Sequence, residues 1–169
     1  MERVMSAKGS KGSAGKTNAL RMLDSEGVEY SFHDCDLKDN FTSGSDLARM
    51  LGQDPERVFK TLVTETPKGE HYVCVIPVDE TLDMKKAAKA LGEKKLEMLP
   101  LKKLLPLTGY IHGGCSPIGM KKPFKTVIDE TAQLFEKMYV SGGRPGLQIE
   151  IAPETLAAVI NAEFADLTV

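Results

Sequence analysis

Gly109-Tyr-Ile-His-Gly-Gly-Cys-Ser-Pro-Ile-Gly-Met-Lys-Lys122 stands near the middle of a chain of 169 residues. Gly109, Gly113, Gly114 and Gly119 relax the steric limits on the backbone there. Pro117 fixes one dihedral and removes one N–H. The stretch reads as a shaped loop whose free N–H groups can form an anion-binding concavity, with Lys121 and Lys122 adding positive charge at its exit. Alone, it is compatible with an ordinary surface loop, so the flanking segments decide its meaning.

Upstream, Met84, Ala87, Ala88 and Leu91 mark an amphipathic helix with Lys85, Lys86 and Lys89 turned outward. Lys95 to Leu99 reads as a strand and Pro100 to Leu105 as a short helix. His71 to Val78 is a continuous apolar run, as in a strand covered on both faces. Val58 to Glu65 is another strand, and alternation sets Lys60 on one face with Val58 and Leu62. A lysine there either snorkels out at a sheet edge or points a cation into a cleft. Further back, Ser43 or Ser45 can cap a helix carrying Leu47, Met50 and Leu51, and Val28 to His33 reads as a strand. Asn18 to Glu26 reads as a helix stopped by Gly27.

Downstream, Lys125 to Asp129 and Lys137 to Val140 read as strands. The second runs into Ser141-Gly-Gly-Arg-Pro-Gly146. Leu147, Ile149 and Ile151 alternate with Gln148 and Glu150, and Pro153 opens a last helix. Hairpins mixed with helical crossovers predict a mixed α/β (α+β) fold. The expectation is a single domain, residues 17–169, with one curled mixed sheet of about six or seven strands surrounded by helices. Residues 1–16, rich in Ser, Gly and Lys, read as a flexible basic tail. Within it Gly12-Ser-Ala-Gly-Lys-Thr17 imitates a phosphate-binding loop, but Ser10 stands where the first glycine belongs.

Composition narrows the function classes. No apolar run is long enough to cross a bilayer, and no secretory signal is visible. The cysteines Cys35, Cys74 and Cys115 show no metal-ligand spacing and fit reduced thiols in a cytoplasm. Net charge is −2, unevenly spread. From Lys85 to Lys125 there are ten lysines against Glu93 and Glu97, a net +8 that leaves −10 for the remainder. A lysine-rich strip in an acidic protein suggests a polyanionic partner such as nucleic acid.

Three stretches now stand together: Val58-Phe-Lys-Thr-Leu62, the glycine loop, and Tyr139-Val-Ser-Gly-Gly143. Their order and content resemble the YbaK/EbsC family of Cys-tRNA(Pro) deacylases, related to the editing domain inserted in some bacterial prolyl-tRNA synthetases. The likeness spans roughly residues 17–167. It implies the fold of that family and hydrolysis, in trans, of the ester joining cysteine to the wrong tRNA. Such an error arises because cysteine and proline differ little in size, and small size differences discriminate weakly.

The resemblance implies catalytic roles for Lys60, Gly113 and Ser141. To these the chemistry adds Gly114, as a second backbone donor to a tetrahedral oxyanion. His33, Cys35, Phe59, His112, Cys115, Ser116 and Gly142 are expected around the substrate. Lys85, Lys86, Lys89, Lys121 and Lys122 are expected on the tRNA backbone. The family often carries a tyrosine near the position of Cys35 and aliphatic residues at those of His112 and Cys115, so the pocket wall differs here. The resemblance also implies that the substrate's own thiol attacks the carbonyl, with no metal or organic cofactor. It implies prolyl-tRNA synthetase as a possible partner in a ternary complex, and the chain is expected to be monomeric. Ala-tRNA(Pro) deacylation, or a non-catalytic tRNA- or nucleotide-binding module of the same fold, are the alternatives.

Each residue also has a plainer reading. Cys115 beside His112 imitates a nucleophile–base pair, though sequence neighbours seldom meet correctly. Cys74 reads as packing. His33 with Asp34 and Asp36 lacks a second histidine at ligand spacing. Ser141 can serve merely to satisfy a turn, and the glycine pair can serve only the shape of its loop.

Overall fold

A computed structural model describes residues 2–7, 15–35 and 44–169. The helices are α1 (Asn18–Glu26), α2 (Gly44–Met50), α3 (Met84–Leu91), α4 (Leu104–Thr108) and α5 (Pro153–Ile160). The strands are β1 (Glu2–Ala7), β2 (Tyr30–Cys35), β3 (Phe59–Glu65), β4 (His71–Pro77), β5 (Glu97–Met98), β6 (Lys125–Asp129), β7 (Met138–Ser141), β8 (Leu147–Ile151) and β9 (Glu163–Ala165).

The mixed α/β class is as expected, but the strands form two sheets instead of one. One sheet runs β1-β2-β8-β7, all antiparallel; the other runs β5-β3-β4-β6-β9 and is mixed, with β6 parallel to β4 and β9. Among the described residues the two are joined by one parallel bridge, Val58 to Tyr139. Beyond it no further β-bridge joins β3 to β7 among the described residues. The wedge between them holds the cavity described below.

Local sequence explains most boundaries. Thr17 caps α1, its hydroxyl accepting the Leu20 N–H at 3.3 Å, and Gly27 closes the helix at φ 67°. Asp83 caps α3 through Lys85 and Lys86 N–H, and Gly92 ends it. In α2, Leu47 is buried but Met50 is 61% exposed, and Ala48 takes the core position instead. The strand expected from Val28 begins only at Tyr30.

The N-terminal tail expectation needs correction. Residues 2–7 form a strand antiparallel to β2. Lys16 and Gly15 are also engaged: Lys16 pairs with Asp24, and the Gly15 carbonyl accepts from Arg144. The first part of the phosphate-loop imitation and the cap candidate Ser43 lie outside the described residues.

The main core lies between the sheets. Val140, Leu147 and Ile149 from one sheet meet Val63, Val73, Val75 and Ile128 from the other, with Leu20, Leu104, Ile118 and Leu156 filling in. On the far face of the mixed sheet, Cys74, Ile76 and Val127 pack against Ala87, Ala88 and Leu91 of α3. Alternation thus places α3 and the glycine loop on opposite faces of that sheet.

Candidate functional site

A cavity of about 290 Å³ opens in the wedge between β3 and β7. β5 pairs with β3 at Thr64 and Glu65, so among the described residues no strand pairs with Phe59 to Leu62 on that side. Phe59, Lys60, Thr61 and Leu62 line the cavity there, facing Val140 and Ser141. His112, Gly113 and Cys115 of the glycine loop form another wall; Ser45 and Leu47 of α2 and Gly146 to Gln148 complete it.

The loop is held by its own chemistry. The Tyr110 hydroxyl donates to the Ile118 carbonyl at 2.6 Å, and the Ser116 hydroxyl accepts the Ile118 N–H at 3.2 Å. Gly119, at φ 75°, passes under α1 so closely that a Cβ would sit 2.7 Å from the Asn18 carbonyl carbon. Gly114 rests on the β7–β8 turn, where a Cβ would come within 2.7 Å of the Arg144 Cα. Three segments far apart in sequence are thereby locked together beneath the cavity.

Of the expected catalytic group, Lys60, Gly113 and Ser141 do converge on the cavity. Lys60 is half-buried, and among the described residues no carboxylate pairs with it. Ser141 accepts the Gly143 N–H at 3.2 Å, so it satisfies a turn, and its hydroxyl keeps a proton to donate at the cavity it lines. Gly114 is a correction. Its N–H donates to the Ile111 carbonyl at 3.0 Å, so it is spent on a turn and is not a second oxyanion donor.

The expected substrate-binding set divides. Phe59, His112 and Cys115 line the cavity. Burial pushes the Cys115 thiol up to about 12, so it holds its proton near neutrality. Ser116 is fully buried and serves the loop. Gly142 serves the β7–β8 turn: its N–H donates to the Leu147 carbonyl at 2.7 Å, and its carbonyl accepts from Thr17. Cys35 is buried behind the lining, its N–H donating to the Gly146 carbonyl at 2.8 Å, and does not itself line the cavity. His33 also lies off the cavity, with Nε2 3.2 Å from Glu150 Oε1 and its ring edge-on to Tyr139. Register places Ser31, His33, Tyr139, Ser141, Gln148 and Glu150 on one face of the antiparallel sheet. That polar face reaches the cavity through Ser141 and Gln148.

Two polar groups were missed. Thr61 lines the cavity, and its hydroxyl oxygen is buried with no hydrogen-bond partner among the described residues. Its signal was adjacency to Lys60 at a bare sheet edge. Gln148, 4% exposed, accepts from Gln53 at 2.6 Å, and its signal was a polar residue inside a well-alternating strand.

The expected tRNA-binding lysines do not form one strip. Lys121 and Lys122 are exposed beside α4, where Lys121 Nζ donates to the Pro106 carbonyl at 3.3 Å. Lys85, Lys86 and Lys89 sit on α3, across the mixed sheet, and Lys86 is tied to Asp166 at 3.0 Å. Among the described residues, no three His, Cys, Asp or Glu side chains are grouped to hold a metal ion, and no helix is long and apolar enough to cross a membrane.

The model of the family described as "Aminoacyl-tRNA editing domain" matches residues 39–159. The chain is 48% identical over 153 residues to the "Putative Cys-tRNA(Pro)/Cys-tRNA(Cys) deacylase EbsC" of Enterococcus faecalis, covering 90% of this chain and 93% of that one. It is 31% identical over 85 residues to a proline–tRNA ligase of Pelobacter propionicus, matching 50% of this chain but 15% of the ligase. A crystal structure of "a putative trans-editing enzyme for prolyl tRNA synthetase" superposes with a TM-score of 0.81 at 24% identity, over 94% of this chain and 99% of that one. With the family match spanning most of its length and a full-length relative at 48% identity, the chain belongs to the family of aminoacyl-tRNA editing domains.

Proposed function

We propose that this chain is a trans-acting hydrolase that deacylates cysteine mischarged onto tRNA(Pro), with residues 17–169 as its editing domain. One observation carries the reading: a small, largely aliphatic cavity in the β3–β7 wedge that holds a cation with no carboxylate partner among the described residues. Burying an unpaired charge is costly. A site built for an anionic RNA terminus supplies the missing partner only when substrate arrives.

Lys60 binds a terminal phosphate or orients the terminal adenosine as a compact point charge. The Gly113 backbone donates to the oxyanion that develops on the ester carbonyl. Ser141 hydrogen-bonds the ribose or the amino acid. The substrate's thiolate attacks the ester carbonyl carbon, the bond to the ribose oxygen breaks, and that oxygen takes up a proton. Water then opens the resulting thioester. The attack closes a strained four-membered ring within the aminoacyl group, so the protein's part is to hold that geometry and to stabilise the developing charge. Cys115, held protonated by its burial, fits a wall residue better than a nucleophile.

The relative's name pairs cysteine with two different tRNAs, which supports recognition of the amino acid by the cavity. Prolyl-tRNA synthetase then contributes selectivity for tRNA(Pro) in a ternary complex in the cytoplasm, with this chain as a monomer needing no cofactor. Purified protein given labelled Cys-tRNA(Pro) and Ala-tRNA(Pro) tests this. Preferential release of cysteine is expected. Preferential release of alanine would reassign the substrate, and binding without release would make the chain a non-catalytic module.

A further inference from the structure

We propose that the body of the tRNA leaves the cavity across one face only, formed by the Leu101–Lys103 turn, α4 and residues 121–125, and that the lysines of α3 take no part. This rests on the reading of the cavity as the seat of the aminoacyl end. The ten-lysine segment is continuous in sequence but divided in space. Leu104 and Ile118, which flank this face, pack on the Val73, Val75 and Ile128 side of the mixed sheet, whereas α3 packs on the Cys74 and Val127 side. A single RNA helix leaving one cavity cannot lie on both.

Three features select the first face. Lys102, Lys103, Lys121, Lys122 and Lys125 are all exposed there. On α3, Lys85 and Lys89 are exposed as well, but Lys86 between them is committed to Asp166 and to the Thr168 carbonyl at 2.8 Å. Next, a groove of about 570 Å³ lies at the far end of β3, lined by His71, Lys102, Lys103 and Pro106, with Glu65 pairing to Lys103 at 3.6 Å. Finally, α4 is the ridge between the two hollows: Leu104 lines the cavity, while Lys103 and Pro106 line the groove. Thr61, whose register partner Val75 lies on this side of the sheet, and Glu65 mark the two ends of the path, roughly 14 Å apart at the rise of an extended strand. An RNA strand emerging from the cavity covers that distance in a few phosphates, each a partner for lysine.

The test measures hydrolysis of full-length Cys-tRNA(Pro) and of a cysteinyl ester of its 3′-terminal trinucleotide, and the affinity for uncharged tRNA by fluorescence anisotropy across a salt series. The variant Lys102→Glu/Lys103→Gln, and separately Lys121→Glu/Lys122→Glu, should each raise KM and Kd for tRNA about tenfold and flatten the salt slope by roughly two. The kcat and cleavage of the short ester should stay within about twofold. Lys85→Glu/Lys89→Glu should leave tRNA affinity as it was. Equal weakening by the α3 pair, or none by the other two, overturns the proposal. So does a KM increase seen only for Leu101→Ser/Leu105→Ser and only with prolyl-tRNA synthetase present, which would give this face to a protein partner. Wild-type protein that binds tRNA with this lysine pattern yet cleaves neither ester would support the face while refuting the catalytic reading.

Discussion

Thr61 and Cys115 face the same cavity and differ in what they lack. The Thr61 hydroxyl is sealed from water without a partner among the described residues, a state that costs about 1–3 kcal/mol. Thr61→Val keeps the shape and removes the hydroxyl. Its melting temperature should hold or rise, while kcat/KM for Cys-tRNA(Pro) stays within about twofold, because a hydroxyl sealed from solvent has no open path to the substrate. A drop in stability would mean that the hydroxyl has a partner in the fold, and a large fall in kcat/KM would mean that it reaches the substrate. Cys115 lacks a charge instead, because burial holds its thiol up near 12. Cys115→Ala should therefore keep most activity. Changing the substrate's cysteine to serine should slow release sharply, since an alcohol is a far poorer nucleophile than a partly ionised thiol. An aminoacyl adduct trapped on Cys115 would refute that mechanism.

At the scale of elements, the antiparallel sheet is tied to the turn before β3 through Glu150. Its carboxylate meets His33 at 3.2 Å, Ser31 at 3.3 Å and Arg57 at 3.6 Å, and Arg57 also stacks 5.1 Å over the Tyr139 ring. Burial alone would raise the Glu150 carboxyl, but the hydrogen bond and charge of His33, with the Ser31 and Tyr139 hydroxyls, hold it below its ordinary value. A carboxylate lowered on folding contributes stability above its unfolded value and loses it as pH falls through the folded one. Glu150→Gln should thus melt below wild type at pH 7 by the equivalent of about 1–3 kcal/mol, and the gap should close under acid. A gap independent of pH would deny the network its charge. The sequence displayed β8 by its alternation but not this network, because His33, Arg57, Tyr139 and Glu150 come from four separate segments joined only by register. Likewise Met50 looked like a core residue by spacing, yet α2 buries Ala48 instead. The position of a helix's buried stripe depends on what it packs against, which no local pattern carries. Gly114 looked like an oxyanion donor because its type is right for one. Only the fold shows its N–H spent on Ile111.

For the whole molecule, the legible part was the parts list and the hidden part was their placement. Lys60, Gly113 and Ser141 come from three stretches, and the glycines that let them meet do so by steric necessity at Arg144 and Asn18. Gly114→Ala should consequently cost more than about 2 kcal/mol of stability and lower activity with it, as melting and deacylation together would show. A variant that melts like wild type would mean the close approach at Arg144 is dispensable. The single curled sheet expected from the strand order is in fact split, and the split is where the cavity lies. The lysine segment, continuous in sequence, is divided by the mixed sheet because α3 and the glycine loop pack on its opposite faces.

The central claim is that the wedge between the sheets hydrolyses the aminoacyl ester with Lys60 as its essential cation. Single-turnover release of labelled cysteine from Cys-tRNA(Pro), by wild type, Lys60→Ala and Lys60→Arg, with thermal melting of the same preparations, tests it most directly. Wild type should release free cysteine. Lys60→Ala should be slower by ~10²–10³ with an unchanged or slightly higher melting temperature, and Lys60→Arg should recover only part of the rate. Near-wild-type release by Lys60→Ala, or a large loss of its stability, would contradict the account.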